Sequence, residues 1–186
     1  MTKIVALAGS VRVRSLNAML LHAAIELAPP GLTVETASIK DIPLYDGDRE
    51  AEAGIPPAVQ SLKDQIAAAD GVLLVTPEYN NSLPGVFKNA IDWTSRPGAD
   101  VARVYGGKPI GVIGATPGAG GTGLAQAAWL PVLRTLGTLP FFGARVQLAN
   151  AAKMFDEHGK LTDQAARAQV ERYMAAFGLF VTRQVR

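Results

Sequence analysis

Five strand-like apolar runs, each followed later in the chain by a helical pattern, constrain the fold of these 186 residues more than any other feature. Alternation of this kind predicts a parallel sheet covered by helices on both faces. The sequence therefore predicts an α/β fold, a doubly wound three-layer sandwich with a five-stranded parallel sheet, in which residues 1–186 form one domain. The runs are residues 3–8, 33–39, 71–76, 108–115 and 140–148.

Capping residues mark two of the predicted helix boundaries. Pro56 and Pro57 stand where a helix can begin, because proline lacks the N–H that a first turn leaves unused. Thr162 is expected to cap the last helix. The core face of that helix is predicted to contain Val170, Tyr173, Met174, Phe177 and Phe180.

The composition excludes several kinds of chemistry. The chain has no cysteine, which rules out disulfides, thiolate nucleophiles and iron–sulfur clusters. Its two histidines, His22 and His158, are far apart in sequence, so neither a metal site nor a histidine-based catalytic triad is predicted. Redox chemistry in such a chain would have to come from a bound cofactor.

The charge pattern argues against nucleic acid or a membrane as partner. The net charge is +2, and the lysines and arginines are scattered rather than grouped in a block. No apolar run reaches the roughly 18 residues that a membrane span requires. Residues 1–3 lead directly into the first strand without a signal-peptide pattern, so we expect a cytoplasmic protein.

The loop after the first strand carries groups that suit an anion. Ser10 and Ser15 have hydroxyl donors, Asn17 has an amide donor and Arg12 has a fork of N–H groups. A helix N-terminus follows, where free backbone N–H groups and the helix dipole also favour negative charge. A phosphomonoester matches this set. In the alternative interpretation, Ser15 merely caps the helix and the arginine is solvated.

The loop after the fourth strand contains a G-x-G-x-x-G pattern between Gly118 and Gly123. A dinucleotide-binding site also has an acidic residue about 20 positions further on. Residues 124–155 contain no Asp or Glu, so the pattern is not interpreted as a dinucleotide fingerprint. The glycines either let the backbone approach a flat ligand closely or form a flexible surface loop.

The loop after the third strand, residues 76–85, is stiffened by Pro77 and Pro84 and carries Tyr79 and Asn80. A flat heteroaromatic ring needs backbone donors and acceptors along one edge and apolar cover on one face, and this loop has candidates for both. By composition alone it is a strand-to-helix loop with turn residues.

Together these loops resemble the NADPH-dependent FMN reductase family, which includes bacterial quinone and chromate reductases and some azoreductases. The resemblance covers nearly the whole chain. It rests on Gly9-Ser10-x-Arg12-x-x-Ser15-x-Asn17, on Pro77-Glu78-Tyr79-Asn80 with Ser82-x-Pro84-Gly85 and Lys88-Asn89-Ala90-Ile91-Asp92-Trp93, and on Pro117-Gly118-x-Gly120-Gly121.

The resemblance implies a flavodoxin-like fold, non-covalent FMN, and NADPH or NADH as the electron donor. It also implies a homodimer or dimer of dimers, and ping-pong transfer of two electrons to quinones, flavins, chromate or azo compounds. No catalytic side chain is implied, because the flavin takes the hydride. By this resemblance Ser10, Arg12, Ser15 and Asn17 hold the FMN phosphate, Pro77, Glu78, Tyr79 and Asn80 line the ring and ribityl chain, and Thr116, Pro117, Gly118, Gly120 and Gly121 approach the other edge of the ring.

Three departures leave the acceptor and the tetramer open. The family often has an aromatic residue where this chain has Asn81, and commonly has arginine where it has Leu124 and Pro131. An alternative function is a flavodoxin-type electron carrier that does not oxidise nicotinamide directly. The net positive charge and the missing Thr- and Gly-rich phosphate loop argue against it. A flavin-free domain that binds phosphate esters on the same fold is a third possibility.

Overall fold

The computed structural model describes residues 1–184, and its sheet has the strand order β2-β1-β3-β4-β5, with every pair parallel. A short strand, β6, also pairs with β4. The strands are β1 (Thr2–Ala8), β2 (Leu32–Ala37), β3 (Gly71–Val75), β4 (Pro109–Ala115), β5 (Leu139–Pro140) and β6 (Gln147–Leu148). The helices are α1 (Leu16–Glu26), α2 (Gly47–Ala53), α3 (Pro57–Ala68), α4 (Gly85–Thr94), α5 (Val101–Tyr105), α6 (Gly123–Thr135) and α7 (Gln164–Gln184).

Two apolar clusters, one on each face of the sheet, make the three layers. All five residues of β3 are buried, as expected for a parallel strand covered on both faces. Leu20 of α1 and Phe177 of α7 belong to the first cluster. Leu62 of α3 and Trp129 of α6 belong to the second. The predicted doubly wound α/β sandwich is confirmed.

The predicted fifth strand, residues 140–148, is wrong as one continuous element. Pro140 of β5 pairs with Ile110, and Gln147 of β6 pairs with Gly114. Between these two pairs the chain runs seven residues, from 140 to 147, whereas β4 runs four, from 110 to 114. The extra residues form a bulge that leaves the sheet. The bulge puts Phe142 on the surface, where 70% of it is exposed.

The predicted start of α3 is confirmed, whereas the predicted cap of α7 is wrong. Pro57 is the first residue of α3 and Pro56 is its N-cap. Asp163, not Thr162, caps α7, because Asp163 Oδ1 accepts a hydrogen bond from Ala166 N at 2.8 Å. Thr162 Oγ1 donates instead to the carbonyl of Met154. On the core face of α7, the predicted residues are buried except Phe180, which is partly buried.

Within residues 1–184, no helix combines the length and the apolar character that crossing a membrane would take.

Candidate functional site

Three loops meet at the carboxyl edge of the central strands. We name them loop A (residues 9–15, after β1), loop B (76–84, after β3) and loop C (116–122, after β4). The strands are parallel neighbours, with Ala8 opposite Val75 and Val75 opposite Ile113, so their carboxyl ends lie side by side. Ligands bind at this edge in doubly wound folds. All the predicted site residues lie in these loops, except Asn17 in the first turn of α1.

Loop A begins in direct contact with loop B. Gly9 N donates to Val75 O at 2.8 Å. A Cβ on Gly9 would lie 2.2 Å from Phe87 Cδ1 and 2.9 Å from Pro77 Cδ, so no larger residue fits. The glycine therefore lets the two loops pack closely.

The polar groups of loop A divide into buried and exposed ones. Ser15 is buried and its hydroxyl accepts from Ala18 N at 3.2 Å, so it caps α1. Its hydroxyl hydrogen remains free to donate, so capping and ligand binding are compatible. Arg12 and Arg14 are exposed. Neither forms an ion pair with any group between residues 1 and 184.

Asn17 ties the first turn of α1 to the end of β4. Its Nδ2 donates to Ala115 O at 2.8 Å, and its Oδ1 accepts from Ala115 N at 2.9 Å. The side chain is only 3% exposed. One amide hydrogen is therefore committed to the backbone that leads into loop C, and only the second can be offered to a ligand.

Loop B contains a tight two-residue turn. Tyr79 and Ser82 exchange two backbone hydrogen bonds of 3.0 Å each. Asn80 has φ 50° and Asn81 has φ 61°, the left-handed pair of a type I′ turn. Asparagine tolerates this conformation better than a bulky aromatic does, which gives a local reason for Asn81. The turn leaves Tyr79 exposed at the rim.

Two side chains of loop B reach α6. Glu78 Oε2 accepts from Ala125 N at 2.9 Å. Thr76 is completely buried, and its hydroxyl accepts from Trp129 Nε1 at 3.1 Å while donating to Pro77 O at 2.9 Å. Thr76 was not among the predicted site residues, because its partner lies 53 positions away and nothing local marks the pair.

Loop C is held by backbone hydrogen bonds in its first half, is exposed at residues 117–120 and is buried at its end. Thr116 N donates to Leu148 O at 2.9 Å, and Asn150 N donates to Gly118 O at 2.8 Å. Gly121 is buried with φ +66°, which favours glycine. Residues 117–120 are exposed, and a Cβ on Gly120 would meet no atom within 4 Å. The backbone of this stretch is accessible from the rim.

Gly114, just before loop C, is a second residue that sequence analysis missed. A Cβ there would lie 2.2 Å from Thr76 O and 2.4 Å from Thr122 Oγ1. The contact joins loops B and C to the end of β4. A glycine inside an otherwise apolar strand was the signal that could have identified it.

Charge is unevenly distributed along the rim. Loop A carries Arg12 and Arg14, whereas loops B and C contain a single charged residue, Glu78. The carboxylate of Glu78 is already bonded to the N-terminus of α6. The rim is therefore cationic at loop A, whereas loops B and C carry no cation and one carboxylate, which faces α6.

The chain is similar in sequence and in fold to known flavin-dependent reductases. The family model described as NADPH-dependent FMN reductase matches residues 2–153. An NAD(P)H-dependent FMN reductase of Pseudomonas aeruginosa is 42% identical over 181 residues, 97% of this chain and 96% of that protein. A 2-hydroxy-1,4-benzoquinone reductase of a Burkholderia species is 36% identical over 179 residues, 96% of each chain. The solved structure of FerB, an NAD(P)H:(acceptor) oxidoreductase flavoenzyme from Paracoccus denitrificans, superimposes with a TM-score of 0.88, 35% identity and 99% coverage of both chains.

Proposed function

The chain belongs to the NADPH-dependent FMN reductase family and is an NAD(P)H-dependent FMN oxidoreductase, and we propose that its acceptors are neutral quinones that bind at the rim of loops B and C. The observation that carries the proposal is the convergence of a cationic loop A with an accessible rim at loops B and C that has no cation, at one edge of the sheet. The relative named as a benzoquinone reductase supports the acceptor class.

The donor set of loop A fits the FMN phosphate. Ser10, Arg12 and the capping hydroxyl of Ser15 can all donate, and Arg12 has no carboxylate partner in the described chain. No protein acceptor among residues 1–184 takes the backbone N–H groups of Val11 or Val13. Both N–H groups lie in the loop that leads to the N-cap Ser15, so they add donors beside a helix N-terminus, where a phosphate is favoured. Asn17 contributes by fixing α1 against β4.

The backbones of loops B and C fit a flat ring. The type I′ turn and the exposed stretch 117–120 both present accessible peptide groups, and Tyr79 adds an exposed aromatic side chain at the same rim. We assign the ring and ribityl contacts to residues 77–80, and the opposite ring edge to Thr116, Pro117, Gly118, Gly120 and Gly121. Bound FMN supplies the hydride acceptor and donor of the reaction. The protein groups bind and orient it, and none of them has to exchange a proton.

Arg12→Ala is expected to weaken FMN binding by about 1.5–3 kcal/mol, or roughly 10- to 150-fold, because a charge-assisted hydrogen bond to the phosphate is lost. Quenching of FMN fluorescence by the apoprotein measures the affinity. Riboflavin, which lacks the phosphate, should bind wild type and variant equally. Arg14→Ala, at the neighbouring exposed arginine, is the matched control and should change the FMN affinity less than about threefold. Unchanged FMN affinity in Arg12→Ala would refute the phosphate assignment.

Leu124→Arg should shift the acceptor preference towards oxyanions. Leu124 lies in the first turn of α6 beside loop C and is 55% exposed. A cation there would raise kcat/KM for chromate relative to benzoquinone by about two- to fivefold, the scale of one exposed charge interaction. Leu179→Arg, at a leucine of α7 with 53% exposure, is the control. If the ratio of kcat/KM for chromate to kcat/KM for benzoquinone is the same in the two variants, the proposal that the charge of the rim selects the acceptor is contradicted.

We also propose a homodimer or dimer of dimers that works in the cytoplasm, where reduced nicotinamides are generated. Exposed apolar side chains, including Leu130 of α6 and Phe142 in the bulge after β5, support a contact between subunits. Sedimentation velocity of the FMN-bound protein measures the oligomeric state. A monomer at micromolar concentration would contradict the proposal.

A further inference from the structure

Helix α6 receives its N-terminal cap from a different loop. The bond from Ala125 N to Glu78 Oε2 is 2.9 Å long and spans 47 positions of the sequence. Ala125 is the third residue of α6, the position whose N–H an N-cap side chain usually takes. A carboxylate there also interacts favourably with the helix dipole.

The residue in the local capping position does not perform this function. Thr122 is the N-cap of α6, yet its side chain makes no capping bond. Its hydroxyl accepts from Gln126 Nε2 at 3.0 Å instead. Glu78 is therefore the acceptor that satisfies Ala125 N.

This bond connects the two ring-side loops. Glu78 directly precedes the tight turn of loop B, which begins at Tyr79, and Ala125 closely follows loop C. A fixed Glu78 carboxylate therefore sets the separation between loop B and the start of α6. Loss of the bond would release the Glu78 end of loop B from the start of α6, while the bond between Thr76 and Trp129 would still hold the base of loop B.

We infer that Glu78 is a positioning residue for FMN, which acts by capping α6 and holding loops B and C at a fixed separation, and is not a ligand through its carboxylate. The inference rests on the proposed function, because it assigns the ring to these two loops. The family resemblance implies that Glu78 lines the ring and ribityl chain, and the inference assigns its carboxylate to the cap of α6.

Two conservative variants separate the two roles. Glu78→Gln keeps an oxygen at the same reach and removes the charge, whereas Glu78→Asp keeps the charge and shortens the reach by one methylene. Positioning predicts that Glu78→Gln binds FMN within about threefold of wild type and that Glu78→Asp binds about tenfold or more weakly. A direct charged ligand predicts that Glu78→Gln also binds FMN about tenfold or more weakly. FMN fluorescence quenching gives the affinity, and visible circular dichroism of bound FMN reports the surroundings of the ring.

Asp163→Ala is the matched control. Asp163 caps α7 through the same kind of carboxylate bond to a backbone N–H, at 2.8 Å, and belongs to none of the three loops. Glu78→Ala and Asp163→Ala should both lower the melting temperature. Only Glu78→Ala should weaken FMN binding and change the circular dichroism of the flavin. If Glu78→Ala does not fold, the Gln and Asp variants still decide between the two roles.

Failure of the proposed function and failure of this inference would give different experimental results. Wild-type protein that fails to bind FMN would overturn the assignment of the site itself. The inference would be overturned if the wild type binds FMN and both Glu78→Asp and Glu78→Ala keep the wild-type affinity and the wild-type circular dichroism of the flavin. Glu78 would then be a structural cap only. FMN binding by Glu78→Gln that is about tenfold or more weaker than wild type would overturn the inference in favour of a direct charged ligand.

Discussion

Gly114→Ala is expected to lower the free energy of unfolding by about 3 kcal/mol or more, at the upper end of the cost of overpacking a core. The added Cβ would lie 2.2 Å from Thr76 O and 2.4 Å from Thr122 Oγ1. One of these is a backbone atom, and both residues are fully buried, so neither can move aside cheaply. Relief of the clash requires β4 to separate from loop B, which also disrupts the rim formed by loops B and C.

Gly120→Ala provides the control for this prediction. Gly120 lies in the same glycine-rich region, its φ is not positive, and an added Cβ would meet no atom within 4 Å. We expect its effect on unfolding to stay within about 0.5 kcal/mol. Urea denaturation followed by far-ultraviolet circular dichroism measures both variants in the absence of FMN. Wild-type stability of Gly114→Ala would refute the close contact between β4 and loop B.

Asn17→Asp is expected to destabilise the protein by about 3 kcal/mol or more, the usual scale for an uncompensated buried charge. The substitution replaces an N–H donor by a carboxylate oxygen that faces Ala115 O at close range. Asn17 is almost fully buried, so water cannot screen the repulsion. The first turn of α1 should then detach from β4, and FMN binding should weaken together with stability.

Asn89→Asp is a matched control for that variant. Asn89 also bonds the backbone in both directions, since its Oδ1 accepts from Tyr45 N and its Nδ2 donates to Pro43 O, each at 2.8 Å. It is only partly buried, so an aspartate there keeps some contact with water. We expect a clearly smaller loss of unfolding free energy, measured in the same urea titration. If the two variants lose the same unfolding free energy, the burial of Asn17 does not explain the destabilisation by Asn17→Asp.

The location of the site followed from the sequence because parallel strands leave little freedom. Once residues 3–8, 71–76 and 108–115 are interpreted as parallel strands, the loops that follow them must emerge at the same edge. The polar residues of loop A and the glycines of loop C could therefore be grouped before any coordinates were known. Their individual contacts with FMN stay predictions.

Long-range side-chain pairing could not be predicted in the same way. Glu78 is an ordinary loop glutamate in the sequence, and Ala125 is an ordinary helical alanine, yet they meet as acceptor and donor. The bonds of Asn17 to Ala115 are of the same kind. Such pairs depend on how loops and helices pack, which hydrophobic periodicity does not encode.

The break in the predicted fifth strand could not be predicted from the sequence either. An apolar run indicates that a segment is buried, but it does not give the register against a neighbouring strand. The register between β4 and its two short partners leaves residues 142–145 without a backbone hydrogen bond to β4. The cap of α7 also depends on a contact that the sequence does not show. Thr162 and Asp163 are both suitable cap residues, but the hydroxyl of Thr162 donates to the carbonyl of Met154, so Asp163 is the cap.

A crystal structure of the protein with saturating FMN tests the central claim most directly. We predict the phosphate at the N-terminus of α1, within hydrogen-bonding distance of Ser10 and Arg12, and the ring between residues 77–80 and residues 116–121. FMN bound elsewhere on the molecule, or a rim that stays empty while FMN is in excess, would contradict the account.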